Sequence, residues 1–233
     1  MSKIYPNLYL GDRHTSKNGS FIKKSKITHI LIAGNRLRRH FTKKCAYMQL
    51  DIFDHPSAKI INHFIESIQY IEEALAGGNN ILIHCWGGVS RSATIVIAYI
   101  MVKEKKSLDE ALQFVRQKRS MIRPNPGFMA QLELFEKCLK YYFENTKGEK
   151  IDYPFLMEAL ESYMEEYEDL KVKKNDMKCM RFYCVNAVFH LLHSGSIINI
   201  SIIDSARGRQ PSKDKNLKRT LQNFLYQSVI SCS

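Results

Sequence analysis

The sequence predicts an α/β domain with a central, mostly parallel sheet flanked by helices, followed by a partly helical or disordered C-terminal extension. Apolar, β-branched runs alternate with segments of helical periodicity, which is the order expected for a parallel sheet. One run, Ile81–Ile83, is apolar throughout, as expected for a strand covered by helices on both faces. After residue 150 the composition becomes acidic and then irregular, which predicts the extension.

Four short apolar runs are the predicted strands, and turn-forming or polar residues follow most of them. These runs are Leu8–Leu10, Ile27–Ile32, Tyr47–Ile52 and Ile81–Ile83. Between the last two, apolar residues recur at helical spacing up to Gly77-Gly78, namely Ile60, Phe64, Ile68 and Ile71. The unbroken hydrophobicity of Ile81–Ile83 predicts a central, parallel position for this strand.

Three further helices are predicted after the fourth strand. Ala93–Val102 is apolar but has about half the length that a bilayer span requires, so a helix buried in a core is favoured over a membrane segment. Ser107 and Glu110 have the spacing of a capping box and predict the start of the next helix. Phe128–Phe143 is the last predicted helix of the domain.

The segment His84–Ser92, called the signature loop below, links the fourth strand to the apolar helix. Cys85 and Arg91 bracket five residues whose N–H groups can turn inward toward an oxyanion, beside the positive end of the helix. These five are Trp86, Gly87, Gly88, Val89 and Ser90. The same donors, together with the guanidinium group of Arg91, favour the thiolate form of Cys85, which is then a nucleophile. The planar guanidinium group can also bind two phosphoryl oxygens at once.

The pattern His84-Cys85-x5-Arg91-Ser92 resembles the signature loop of the cysteine-dependent protein phosphatases, and its surroundings resemble the dual-specificity branch. The resemblance covers about residues 3–143 and is to the atypical members that have no docking domain. It implies hydrolysis of phosphotyrosine and of phosphoserine or phosphothreonine through a phosphocysteine intermediate, without a cofactor. It also implies that the Ser92 hydroxyl helps the cysteine leave when the intermediate is hydrolysed.

Asp54 is the predicted general acid. It lies 31 residues before Cys85, beyond a strand, and Asp54-His-Pro-Ser57 resembles the acid loop of the family. A general acid must lie on a separate loop that can swing over the pocket and must be protonated when phosphate is bound. Asp51 is the alternative, although it lies nearer the strand.

Two residues are expected to support the loop rather than to transfer protons. His84 is expected to orient the loop through hydrogen bonds, because an ionised nucleophile needs no base. Asn125 belongs to Arg123-Pro124-Asn125-x-x-Phe128, which resembles the segment that buttresses the signature loop in the family. Trp86 is expected either at the rim of the pocket or packed inward.

Relatives that act on inositol lipids often carry lysines in this loop and those that act on RNA ends carry other residues, whereas residues 86–90 carry no charge. The resemblance therefore implies a phosphoprotein as the substrate. Two other functions stay open. One is a phosphatase for RNA ends or lipids, and the other is a non-catalytic, phosphate-binding scaffold.

The net charge of +12 comes mainly from residues 1–150, which hold 24 Lys and Arg against 13 Asp and Glu. A basic surface attracts phosphorylated acidic proteins and also nucleic acid. The cluster Arg36–Arg39 is therefore either a solvated basic loop or a docking patch for anions. A nucleic-acid or ribosomal contact is an expectation for the basic tail, residues 206–219.

Six irregularly spaced cysteines and an N-terminus without an apolar signal predict a cytoplasmic or nuclear protein. No membrane partner is expected. The oligomeric state stays open.

The predicted catalytic domain spans residues 1–147 and the extension spans residues 148–233. Ile151–Leu170 holds seven acidic residues, no basic ones, and apolar residues near helical spacing, so it predicts an acidic amphipathic helix. No metal site is expected. The only zinc candidates have ligand residue types without a standard zinc spacing, and they are Cys179, Cys184, His190 and His193.

Overall fold

The computed structural model describes residues 1–146 and 151–165. The predictions made for the remainder, including the basic tail, lie outside the described residues. The same applies to the zinc candidates Cys179, Cys184, His190 and His193.

A five-stranded sheet forms the centre of the described domain, with the strand order β1-β2-β5-β3-β4. Its strands are β1 (Ser2–Tyr5), β2 (Leu8–Gly11), β3 (Ile27–Ala33), β4 (Ala46–Leu50) and β5 (Asn80–His84). Strand β5 pairs in parallel with β2 and β3, β4 pairs in parallel with β3, and only β1 is antiparallel to its neighbour. The predicted α/β class with a mostly parallel sheet is confirmed.

Helices cover the sheet, and all of those predicted for the domain are present. They are α1 (Gly19–Lys24), α2 (Phe64–Ala76), α3 (Arg91–Lys103), α4 (Leu108–Lys118) and α5 (Pro126–Asn145). A 3₁₀ turn, Ile60–His63, forms the first part of the segment that was predicted as one helix with α2. The capping box of Ser107 and Glu110 begins α4 as expected.

Strand β1 was not predicted from the sequence. It forms an edge hairpin with β2 across Pro6-Asn7, and Asn7 adopts a left-handed conformation with φ of 65°. Ile4 is the one buried residue of this strand. A four-residue run with one buried side chain has too little alternation to be recognised without its partner.

Both faces of β5 are buried, as its apolar sequence predicted. Ile81 and Ile83 belong to the large hydrophobic cluster that includes α3 and α5, whereas Leu82 belongs to a smaller cluster on the other face of the sheet. In α3, every residue from Ser92 to Val102 is buried. The strand that precedes the signature loop and the helix that follows it are therefore held rigidly by the core.

The predicted acidic helix is present as α6, residues 153–165. Its buried residues Leu156, Ala159 and Leu160 join the large hydrophobic cluster. The hydroxyl of Tyr142 in α5 accepts a hydrogen bond of 2.6 Å from the Asp152 N–H just before the helix. The proposed boundary between residues 147 and 148 stays a prediction. Among the described helices, none has the length and apolar character needed to span a bilayer.

Candidate active site

The signature loop lies at the edge of the sheet where the parallel strands β2, β3 and β5 end. It follows β5 directly and leads into α3, which begins at Arg91. Loops from the carboxyl ends of neighbouring parallel strands meet at one edge of a sheet, and this is where ligand sites of open α/β folds form. Residues that are far apart in the sequence therefore surround Cys85.

Every carbonyl oxygen from Cys85 to Ser90 accepts a hydrogen bond from a group outside those six residues. Arg119 supplies two of these bonds, since its Nε donates to the Gly88 carbonyl at 2.8 Å and its Nη2 to the Gly87 carbonyl at 3.4 Å. Backbone N–H groups supply most of the others. The Trp86 carbonyl accepts from Arg13 N at 3.2 Å, that of Val89 from Arg123 N at 2.9 Å and that of Ser90 from Thr94 N at 2.8 Å.

The backbone N–H groups of this loop face the other way. Those of Trp86, Gly87, Val89 and Ser90 have no acceptor among the described residues, and that of Gly88 donates to Sγ of Cys85 at 3.2 Å. Unpaired N–H groups in a curled loop at a helix N-terminus form a binding site for an oxyanion. The local geometry thus has the form of a phosphate cradle around a thiol.

Gly88 makes the tight curl of the loop feasible. Its φ of +66° is a left-handed conformation, and a Cβ on this residue would lie 2.3 Å from the Gly11 carbonyl oxygen. A side chain at this position would therefore overlap the end of β2. Gly87 has no such contact with backbone atoms, so only the second glycine of the pair is required by this packing.

Cys85 lies at the base of the cradle and is 1% exposed. Besides the Gly88 N–H, the hydroxyl of Ser92 donates to its Sγ at 3.1 Å. Two donors aimed at one sulfur stabilise negative charge on it. Ser92 is itself fully buried at the start of α3, which holds the hydroxyl in place.

The guanidinium group of Arg91 lies beside the cradle. Nη1 donates to the Ile52 carbonyl at 3.4 Å, and Nε lies 3.6 Å from Oδ2 of Asp54. Within the described part of the chain, no atom accepts a hydrogen bond from this buried Nε. A Cβ on Gly34, at the end of β3, would lie 2.6 Å from Nη1, so glycine leaves the space that the guanidinium group occupies.

Asp54 is joined to the signature loop by direct hydrogen bonds. Its Oδ1 accepts from the Ser90 hydroxyl at 2.7 Å and from Nδ2 of Asn125 at 3.0 Å. The two donors share Oδ1, so Oδ2 is left to face Arg91. The alternative acid, Asp51, is exposed, and no described hydrogen bond or ion pair joins it to the signature loop.

Asn125 links three parts of the site. Its backbone N–H donates to the Ser90 hydroxyl at 3.2 Å, and its side-chain oxygen caps α5 by accepting from Phe128 N at 3.0 Å. Two residues later, the backbone of Gly127 lies against the acid loop, residues 53–57. A Cβ on Gly127 would lie 1.8 Å from the carbonyl oxygen of Pro56.

His84 and Trp86 have opposite surroundings. His84 is buried, and its Nδ1 lies 3.2 Å from the Cys85 carbonyl, which can only accept, so Nδ1 carries the proton. Burial lowers the pKa of His84 to about 4, although this hydrogen bond favours the charged ring. Trp86 is 55% exposed at the rim of the pocket, with the Arg13 guanidinium carbon 3.7 Å from its ring centroid. It is not packed inward.

The sequence analysis missed Arg119 and Asp12. Arg119 is only 7% exposed, and its Nη2 lies 4.0 Å from Oδ2 of Asp12 at the end of β2. Burial acts to raise the pKa of Asp12, but hydrogen bonds from Thr15 and His14 and the charge of Arg119 lower it. Arg119 lies in the basic run Arg116-Gln-Lys-Arg119, where no sequence signal distinguishes the buried arginine from its exposed neighbours.

Metal ligation is a separate question for this site. Among residues 1–146 and 151–165, no group of three or more His, Cys, Asp or Glu side chains is arranged to hold a metal ion. The groups in contact with Sγ of Cys85 are the Gly88 N–H and the Ser92 hydroxyl.

A comparison with protein families matches residues 8–138, more than half of the chain, to the catalytic domain of dual specificity phosphatases. The human dual specificity protein phosphatase 22 is 41% identical over 137 residues, which cover 59% of this chain and 74% of that protein. The human protein phosphatase Slingshot homolog 3 is 37% identical over 138 residues, covering 59% of this chain but only 21% of that protein. The chain thus spans about a fifth of the length of the Slingshot relatives.

Among solved structures, the human tyrosine phosphatase-like serine/threonine/tyrosine-interacting protein is 34% identical, with a TM-score of 0.57. The match covers 60% of this chain and 97% of that one.

The first prediction concerns Arg119. The Arg119→Gln variant should lose about tenfold to 100-fold in kcat/KM for an aryl phosphate, because two outward carbonyls lose their donor and the loop N–H groups shift. Inhibition by vanadate should weaken in parallel. Arg116→Gln removes the same charge from the exposed face of α4 and should leave both quantities unchanged. If Arg119→Gln only lowered the melting temperature, Arg119 would be needed for stability alone.

The second prediction concerns His84 and pH. An unfolded imidazole titrates near pH 6.5, so between pH 6.5 and about 4 the unfolded chain binds a proton that the folded chain excludes. The free energy of unfolding should therefore fall by up to about 3 kcal/mol as the pH decreases through this window. Urea titrations at several pH values measure the change. His84→Gln should lose this part of the pH dependence, whereas His14→Gln, at an exposed position, should retain it. If the free energy of unfolding changed with pH in the same way in wild type and both variants, His84 would not be the group responsible.

Proposed function

The chain belongs to the dual specificity phosphatase family, and from this premise we propose that it is a protein phosphatase acting on phosphotyrosine and on phosphoserine or phosphothreonine. The reaction proceeds through a phosphocysteine on Cys85. Arg91 and the N–H groups of residues 86–90 bind the phosphoryl oxygens, and Asp54 is the general acid. His84 and Asn125 keep the loop and the acid in position.

One observation carries this proposal: in the loop that follows Cys85, four backbone N–H groups have no acceptor among the described residues and a fifth, that of Gly88, donates to Sγ of Cys85. A phosphoryl group bound by these N–H groups would lie next to Sγ, because the Gly88 N–H of the same loop contacts that sulfur. Preorganised donors of this kind stabilise the charge on the equatorial oxygens during transfer, and they need no rearrangement when the reaction occurs.

In the first step, the Cys85 thiolate attacks phosphorus, the S–P bond forms and the P–O bond to the substrate breaks. The leaving oxygen takes the proton carried by Asp54, for which Oδ2 is the available oxygen because Oδ1 already accepts two hydrogen bonds. A phosphoryl dianion beside this carboxyl group disfavours a second negative charge there and so favours its protonated form.

In the second step, a water molecule attacks the phosphorus of phosphocysteine and the Asp54 carboxylate accepts a proton from it. The S–P bond breaks, the thiolate leaves and inorganic phosphate is released. The Ser92 hydroxyl, 3.1 Å from Sγ, stabilises the departing thiolate through its hydrogen bond.

Two features favour a phosphoprotein as the substrate. Residues 86–90 add no charge with which to bind a second phosphate within the loop. The three most exposed large apolar side chains of the described chain, Phe53, Trp86 and Met121, lie on three loops that bound this site. Exposed apolar side chains at a recognition site suit the apolar parts of a polypeptide better than a sugar-phosphate backbone.

The third prediction tests the enzymatic function. Purified full-length protein should hydrolyse phosphotyrosine and phosphothreonine peptides, and vanadate should inhibit it. Cys85→Ser should lower kcat by at least about 1,000-fold, because the hydroxyl is a far weaker nucleophile at neutral pH. Cys138→Ser makes the same substitution at a buried cysteine of α5 and is the matched control, so it should keep the wild-type kcat. A chain that bound phosphopeptides without turnover would be a scaffold, and hydrolysis confined to RNA ends or inositol lipids would identify another substrate class.

The fourth prediction tests Asp54 as the general acid. Asp54→Asn retains the two hydrogen bonds to Oδ1 but cannot donate a proton, so its effect should depend on the leaving group. We expect a loss of about 100-fold with phenyl phosphate and a much smaller loss with dinitrophenyl phosphate, whose leaving group needs no proton. Asp51→Asn should behave as wild type with both. An equal loss of Asp54→Asn on both substrates would assign Asp54 a purely structural role.

A further inference from the structure

The connection between β3 and β4 carries the cluster of arginines noted in the sequence. We call residues 34–40 the arginine loop, and it contains Arg36, Arg38 and Arg39. It begins at the end of β3, which is hydrogen-bonded in parallel to β5, so it leaves the same edge of the sheet as the signature loop. The proposed function assigns no role to these arginines.

Hydrogen bonds from β4 support the arginine loop. Nε2 of Gln49 donates to the Gly34 carbonyl at 3.3 Å and to the Leu37 carbonyl at 3.1 Å. Arg39 is part of this support, because its Nε donates to Oε1 of Gln49 at 3.1 Å. Leu37 packs against the smaller hydrophobic cluster and anchors the middle of the loop.

Arg36 and Arg38, unlike Arg39, take no part in the hydrogen bonds that support the loop. Both are exposed, and no described residue forms a hydrogen bond or an ion pair with either of them. Two unpaired guanidinium groups on a fixed loop lose little conformational freedom of the backbone when they bind a ligand. Their planar forks match carboxylate and phosphate oxygens.

The position of the loop relates these arginines to the phosphate site. Gly34 borders the guanidinium group of Arg91, since a Cβ on Gly34 would lie 2.6 Å from Nη1. An extended chain advances about 3.5 Å per residue, so the Cα atom of Arg36 lies within about 7 Å of the Gly34 Cα atom and that of Arg38 within about 14 Å. A substrate side chain two to four residues from a phosphorylated residue bound at Arg91 spans the same distances.

We propose that Arg36 and Arg38 bind acidic side chains of the substrate polypeptide, two to four residues from the phosphorylated residue. This inference rests on the proposed function for the identity of the polypeptide. The arginine loop then selects phosphorylation sites with acidic residues on one side. The charge complementarity acts on encounter with the substrate and on its orientation, and not on the transfer step itself.

The fifth prediction uses three phosphotyrosine peptides of equal length. One has glutamates two to four residues before the phosphotyrosine, one has them after it, and one has alanines at all these positions. Wild-type protein should show a higher kcat/KM for one of the acidic peptides than for the alanine peptide. Arg36→Glu/Arg38→Glu should lower that value by about tenfold and remove the preference, with kcat/KM for a small aryl phosphate unchanged.

A matched control separates position from net charge. Lys23→Glu/Lys24→Glu changes the total charge equally on the exposed side of α1 and should retain the preference. Arg36→Gln/Arg38→Gln removes the two charges without reversing them, so kcat/KM for the acidic peptide should fall by less than in the glutamate variant. The glutamine variant also provides the test if the glutamate variant folds poorly. Equal losses in the lysine and arginine variants would overturn the proposal in favour of general electrostatic attraction.

Binding measurements keep the test independent of turnover. Fluorescence anisotropy with the same peptides on a Cys85→Ser background should show the acidic peptide binding more tightly, and the arginine substitutions should abolish the difference. If the preference appeared in binding but no substrate were hydrolysed, the proposed function would fail while the docking surface stood. If all three peptides bound equally and a single-stranded RNA oligonucleotide bound through Arg36 and Arg38, the loop would be a nucleic-acid surface and the proposal would be wrong.

Discussion

A peptide unit that directs its N–H toward an anion directs its C=O the opposite way, so the six carbonyls of residues 85–90 need donors from outside the loop. Arg119 supplies two of them, and the backbones of Arg13, Arg123 and Thr94 supply three more. These donors come from the segment after β2, the connection before α5 and the first turn of α3. The cradle is thus a property of several chain segments, although its sequence motif is nine residues long.

This distribution explains which parts of the site the sequence could predict. Cys85, Arg91 and Ser92 are neighbours in the chain, and their spacing alone places them around one loop. Arg119 acts across the fold on backbone atoms, and an acceptor that every residue possesses leaves no trace in the sequence. Asp54 and Asn125 were predicted because their segments resemble those of a known family, and each of them is hydrogen-bonded to Ser90 as well as to the other.

The fold could be predicted for elements that bury one face, such as α2, or both faces, such as β5. The apolar run of β5 and the helical spacing of α2 each follow from the surface they bury, and the capping box begins α4 as expected. Strand β1 escaped prediction because it buries one residue, Ile4. The side chain of Trp86 could not be placed either, since its stacking on Arg13 depends on where β2 ends.

The close approach of Gly127 to Pro56 has a consequence for how substrates are distinguished. Because the acid loop lies against the start of α5 and Asp54 is already bonded to Ser90 and Asn125, folding itself has ordered the groups that induced fit assembles in other enzymes. A site of this kind cannot reject a wrong substrate by failing to close over it. Discrimination must come instead from how readily each phosphorylated protein meets the surface around the pocket and how well it is held there.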